Sequence, residues 1–106
     1  MPYQLELNEH ARKGLKEIER SGDQGRVRQV KKALRLLEQD PTYPSLSSHR
    51  SNPSWGGPGR LQGRDELWIS WARKGPSAER ISWFYGERVD GVQKLCVEYI
   101  GPHIDR

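Results

Sequence analysis

Apolar and polar residues alternate from the start of the chain. Tyr3, Leu5 and Leu7 are separated by Gln4 and Glu6, the pattern of a short strand with one apolar face. Asn8 follows as a helix N-cap, with Glu9 in the first turn where the helix dipole favours an acid. Ala11, Leu15 and Ile18 then recur at helical spacing until Ser21-Gly22. Asp23 is placed to cap a second helix whose stripe is Val27, Val30, Ala33/Leu34 and Leu37. Asp40-Pro41 stops it, because a residue before proline is pushed out of the helical region. Two amphipathic helices joined by so short a turn form an antiparallel hairpin laid on a sheet.

The composition then changes. Pro41 to Gly63 is rich in Pro, Ser, Gly and Asn, and Asn52–Gly59 (NPSWGGPG) reads as a mobile loop. Periodicity returns at Glu66–Arg73 (ELWISWAR), a strand with Leu67, Ile69 and Trp71 on one face and Trp68, Ser70 and Ala72 on the other. Gly75-Pro76 turns the chain into RISWFY (Arg80–Tyr85), where Ile81, Trp83 and Tyr85 oppose Arg80, Ser82 and Phe84. A turn over Gly86–Gln93 leads to a last strand, KLCVEYI (Lys94–Ile100), which runs into Gly101-Pro102-His103. The order predicts one α+β domain over residues 1–106: an N-terminal strand, a two-helix hairpin, then a three- or four-stranded, mainly antiparallel sheet.

Composition narrows the class. The chain is 33% hydrophobic and 30% charged, enough for one sheet covered by helices. Cys96 is the single cysteine, so no internal disulfide or cysteine-based zinc site can form, and its place in a strand predicts a small buried hydrophobe. There is no apolar leader and no stretch of membrane-spanning length, which sets a cytoplasmic, reducing home as the expectation. Lys and Arg number 18 against 14 acids, a net charge of +4 that suits a polyanionic partner. The bases are unevenly spread: Arg26, Arg28, Lys31, Lys32 and Arg35 follow one another with no acid between Asp23 and Glu38. That helix face can meet RNA or an acidic protein, and Lys31, Lys32 and Arg35 are its candidate contacts.

Candidate chemistry gathers at the C-terminal hairpin. If the last two strands pair, the tail brings His103 back towards Arg80. Histidine holds or releases a proton near neutrality, and the arginine fork binds phosphate while staying charged. Asp105 is placed to orient His103. His49 beside Arg50 could be base, phosphate ligand or plain loop, whereas His10 reads as a solvated helix residue. Arg50, Arg64 and Arg73 are further candidate phosphate ligands. Trp55 could anchor its loop on the core or stack on a base.

These residues together resemble the RelE/ParE superfamily of toxins from bacterial toxin–antitoxin pairs. The resemblance rests on the β-α-α-β-β-β order and on ALRLLEQDP (Ala33–Pro41) followed by Pro44–Leu46. It rests also on Leu61-Gln62-Gly63 before the long strands, on the R-I-x-x-x-Y strand at Arg80, and on the Ile100-Gly101-Pro102-His103 ending. It implies a metal-free ribonuclease fold that cuts messenger RNA, usually in the ribosomal A site, and an acidic antitoxin that wraps the toxin. No cofactor or metal and no membrane partner is expected. Many nuclease members carry an aromatic residue just after the C-terminal His or Arg; here Ile104, Asp105 and Arg106 follow His103. His103-Ile104-Asp105, with His49, instead resembles a variant built on several histidines and an aspartate. On this reading His103, Arg80 and His49 are catalytic, giving a 2′,3′-cyclic phosphate and a 5′-hydroxyl. Two alternatives stand beside it: a ParE-like inhibitor of DNA gyrase that cuts nothing, and a catalytically inactive RNA- or partner-binding module.

Overall fold

The computed structural model describes residues 3–50, 67–72 and 79–102. Strand β1 (Tyr3–Leu7) is followed by helices α1 (Glu9–Arg20) and α2 (Gln24–Gln39), a 3-10 turn at Pro44–Leu46, and strands β2 (His49–Arg50), β3 (Trp68–Trp71), β4 (Glu79–Val89) and β5 (Val92–Pro102). They form one five-stranded sheet in the order β1-β5-β4-β3-β2. The α+β architecture is the expected one, with two additions. β1 crosses to the far edge and pairs parallel with β5, while every other pairing is antiparallel. A two-residue strand, β2, also forms inside the segment that composition alone marks as irregular.

Local signals explain the helices. The Asn8 carboxamide oxygen accepts from the Ala11 N–H at 2.9 Å, and the Asp23 carboxylate accepts from the Arg26 N–H at 3.1 Å. Each cap satisfies an N–H that the first helical turn leaves without a partner. Gly22 takes φ +78 between the helices, and Asp40 ends α2 in extended geometry ahead of Pro41. Ala11, Ile18, Val30, Ala33 and Leu37 bury their faces against Ile81, Trp83, Leu95, Val97 and Ile100, so both helices cover the same side of the sheet. Gly14 marks the closest approach: a Cβ there would overlap the carbonyl of Ile100, so α1 lies directly on the β5 backbone.

The long hairpin corrects the expected turn. β4 and β5 continue past Tyr85 and begin before Lys94, and the reversal is the pair Asp90-Gly91, with φ of 52 and 78. Two consecutive left-handed residues match the twist of the flanking strands, which is why Asp-Gly closes hairpins of this kind. Two bulges sit on the way. Gly86 and Glu87 together face Lys94, and the Gln93 side chain donates to the Gly86 carbonyl at 2.7 Å. Glu98 is the extra residue on β5, because Ser82 pairs with Tyr99 while Trp83 pairs with Val97. The second bulge lets Leu95, Val97 and Ile100 all face the helices, which unbroken alternation would forbid. Cys96 lies on the other face with Leu67 and Phe84, half-buried rather than sealed in the core.

Candidate functional site

Both described helices lie on one side of the sheet, and the strand registers decide which side chains populate the other face. Residues directly opposite one another on paired strands share a face. Trp71 pairs with Arg80 and Arg80 with Gly101; Ile69 pairs with His49 and with Ser82. Leu67, Ile69 and Trp71 therefore share this face with Arg80, Ser82 and Phe84, as the alternation predicts. Trp68, Ser70, Ile81 and Trp83 face the helices.

Arg80 is the chemical centre of the face. Its guanidinium carbon lies 3.5 Å from the centre of the Trp71 ring. Stacking on an indole holds the planar cation by its flat side, while its N–H groups radiate in the plane in which a phosphate binds. Partial burial lowers the Arg80 pKa from its ordinary value, and the group remains charged across the physiological range. Glu79, the residue before Arg80, pairs with Arg26 of α2, whose Nε donates to Oε2 at 2.7 Å, and it is 1% exposed. This partly buried pair ties the second helix to the residue directly before Arg80.

The strand end beside Arg80 is equally fixed. Pro102 lies opposite Glu79, and the Tyr99 hydroxyl donates to the Pro102 carbonyl at 3.1 Å. The Tyr99 ring occupies the space a side chain at Gly101 would need. Burial, and then the charge of Glu17, raise the Tyr99 pKa. His103 and Asp105 follow this pinned end but lie outside the described residues, as do Trp55, Arg64 and Arg73.

His49 is exposed on β2, on the face of Arg80. Its Nδ1 is 3.0 Å from the Ser47 carbonyl oxygen, which can only accept, so Nδ1 carries the proton. In the neutral ring Nε2 is then the basic nitrogen. The two intervening strand spacings and two residues of rise put His49 about 12 Å from Arg80 at the backbone. Arg50 pairs with Trp68, on the opposite face. The structure thus divides the His49-Arg50 pair that the sequence places together. Lys31, Lys32 and Arg35 lie on the exposed side of α2, and Lys31 forms a 3.2 Å ion pair with Glu19 of α1.

Three features escaped sequence reasoning: Trp71 as the platform for Arg80, the Arg26–Glu79 tie, and an aromatic pocket. The pocket lies on the helix side of the sheet, where Trp68 stacks on Trp83 at 5.7 Å and Tyr85 meets both rings edge-on. The spacing of Trp71 and Arg80 on either side of Gly75-Pro76 was the available signal for the first; the others depend on contacts between distant segments. Among the described residues no three His, Cys, Asp or Glu side chains cluster in a way that could hold a metal ion, and no helix is long and apolar enough to cross a membrane.

No protein-family model and no curated protein sequence matches the chain. A solved structure does: a YoeB/ParE toxin from Agrobacterium tumefaciens superposes with a TM-score of 0.67, covering 95% of this chain and 99% of that one. The chain has the fold of a YoeB/ParE toxin. Sequence identity to it is 14%, so the YoeB/ParE likeness is one of fold.

Proposed function

We propose that this chain is the toxin of a toxin–antitoxin pair, a metal-independent endoribonuclease that cuts messenger RNA on the ribosome. The observation that carries the reading is Arg80, stacked on Trp71 on the sheet face opposite the described helices and beside the strand end that leads into His103. RNA cleavage without metal needs a base for the 2′-hydroxyl proton, a cation for the charge growing on phosphorus, and an acid for the departing 5′-oxygen. Arg80 supplies the second of these. His103, one residue beyond the Pro102 end, is assigned the proton transfers, with Asp105 holding its other ring nitrogen. His49 contacts the same RNA further along the face, with Nε2 outward. Arg64 and Arg73 are assigned to flanking phosphates and Trp55 to a base. The acidic antitoxin docks on α2 through Lys31, Lys32 and Arg35.

One observation favours a second reading. The three residues after His103 are Ile104, Asp105 and Arg106, not the aromatic residue that many nuclease members of the resembling superfamily carry there. A ParE-like toxin that inhibits DNA gyrase would use the same fold and cut nothing. Purified protein added to translating ribosomes in one assay, and to gyrase acting on relaxed DNA in another, distinguishes the two. Cleavage that is lost in Arg80→Ala supports the nuclease; intact transcripts together with inhibited supercoiling support the alternative.

A further inference from the structure

The outer side of α2 does not end in open solvent. A shallow groove lined by Val27, Arg28, Lys31 and Arg35 shares Gln29 and Lys32 with a second depression, which runs over Leu36 to the 3-10 turn. On the other side of that turn, Pro44 and Ser47 help to line the aromatic pocket. Three depressions therefore follow one another from the basic helix face to the Trp68–Trp83–Tyr85 cluster. The last has a volume of about 200 Å³. That suits one large side chain; pockets for drug-sized ligands run from about 300 Å³ upward.

We propose that this track docks one partner polypeptide, its acidic stretch along α2 and one aromatic or branched side chain seated in the pocket of Tyr43, Trp68, Trp83 and Tyr85. Charge complementarity selects the first half. Four bases of α2 line the groove, Arg28, Lys31, Lys32 and Arg35, and the ion pair of Lys31 with Glu19 leaves the face positive. Exposure selects the second. Tyr43 and Tyr85 are 45% and 41% exposed, and they belong to the few large hydrophobic side chains that the fold leaves out among the described residues. Aromatic walls of this kind are what anchor residues fill in protein interfaces.

A nucleic acid fits the pocket less well than a side chain does. Among the described residues its lining contains hydroxyls and prolines but no Lys or Arg to meet the phosphate that accompanies a base. Asp40 stands close enough to add to the rise of the Tyr85 pKa, behind burial and Tyr3, and its negative charge opposes a phosphate there. The proposal rests on the toxin–antitoxin reading for the identity of the partner, but not for the binding itself.

The test is a selection of random linear peptides, displayed on phage, against the whole chain. Selected binders are expected to carry an Asp/Glu-rich stretch and, at a fixed offset, a Trp, Phe, Tyr, Leu or Ile. Changing that residue to Ala should weaken binding about tenfold, as loss of an interface anchor does. Against Tyr43→Ala, or Tyr43→Ala with Tyr85→Ala, the two peptides should bind with nearly equal affinity. Lys32→Glu with Arg35→Glu should weaken both. Tyr43 lies outside the sheet, so its single variant keeps the test open if the double variant melts early. The proposal is overturned if the anchor effect persists undiminished in the Tyr43 variant, if binders lack any such anchor, or if an RNA oligonucleotide rather than any peptide protects Tyr43 and Tyr85. Anchored, coupled peptides bound by a chain that cuts no RNA would sink the nuclease reading and leave this one standing.

Discussion

Replacing Gly14 with alanine sets two effects of opposite sign against each other. In the middle of a helix, Gly→Ala is stabilising by about 1 kcal/mol, because the backbone has less freedom to lose. In α1 the new Cβ would overlap the Ile100 carbonyl oxygen and lie 3.1 Å from its carbon. Those atoms belong to strand backbone that cannot rotate away, so α1 must lift from β5. Overpacking of that kind costs roughly 1–3 kcal/mol or more, and it prevails. Gly25→Ala in α2 is the control, since its Cβ would meet nothing closer than the Asp23 carboxylate at 3.4 Å. The expected result in urea unfolding is a lower midpoint for Gly14→Ala and an unchanged or higher one for Gly25→Ala, both with the slope of the parent. Each kcal/mol corresponds to a Tm shift of about 4–8 °C in a domain near this size. If Gly14→Ala is as stable as Gly25→Ala, the helix does not rest on the strand as described.

Two further expectations follow from an ion pair and from two partly covered phenols. Arg26→Ala leaves the Glu79 carboxylate sealed without its cation, a change worth about 3–5 kcal/mol for a fully buried pair. The arginine side chain is 27% exposed, so a loss of about 2–3 kcal/mol is expected in denaturant unfolding, with Glu79→Gln losing less because it still accepts from Nε. Burial raises the pKa values of Tyr85 and Tyr99. The folded state therefore keeps these phenol protons at a pH where the unfolded chain has lost them. That contribution to stability is complete below about pH 10 and fades as pH rises through the folded values. Absorbance titration near 295 nm should show both phenolates forming late, and Tyr85→Phe should remove part of the alkaline fall in Tm.

The helices were legible because their signals are local: Asn8 and Asp23 at the caps, Gly22 between them, and a 3.6-residue stripe. The two faces of β3 and β4 were legible for the same reason. The hairpin turn was present in the sequence as Asp90-Gly91 but was masked by Gly86, which marks a bulge that admits the Cys96 sulfur. The Glu98 bulge was hidden because its effect, keeping both Val97 and Ile100 in the core, appears only once β4 is aligned beside it. The crossing of β1 to pair with β5 joins segments some ninety residues apart, and neither carries a mark of the other. At the site, Arg80 was legible from its strand position. Its seat on Trp71 and the removal of Arg50 to the opposite face required registers that pattern alone does not set.

The central claim is that the Arg80 face cuts messenger RNA, and 5′-end mapping of transcripts in cells induced for this protein tests it most directly. Parent protein should produce new 5′-hydroxyl ends within translated frames. Arg80→Ala should reduce them on the order of a hundredfold or more, as loss of a comparable transition-state donor does. His103→Ala should reduce them similarly by removing a proton-transfer group. Both variants should keep the parent's melting temperature. The account is contradicted if the parent leaves transcripts intact while DNA damage accumulates, or if folded Arg80→Ala cuts as the parent does.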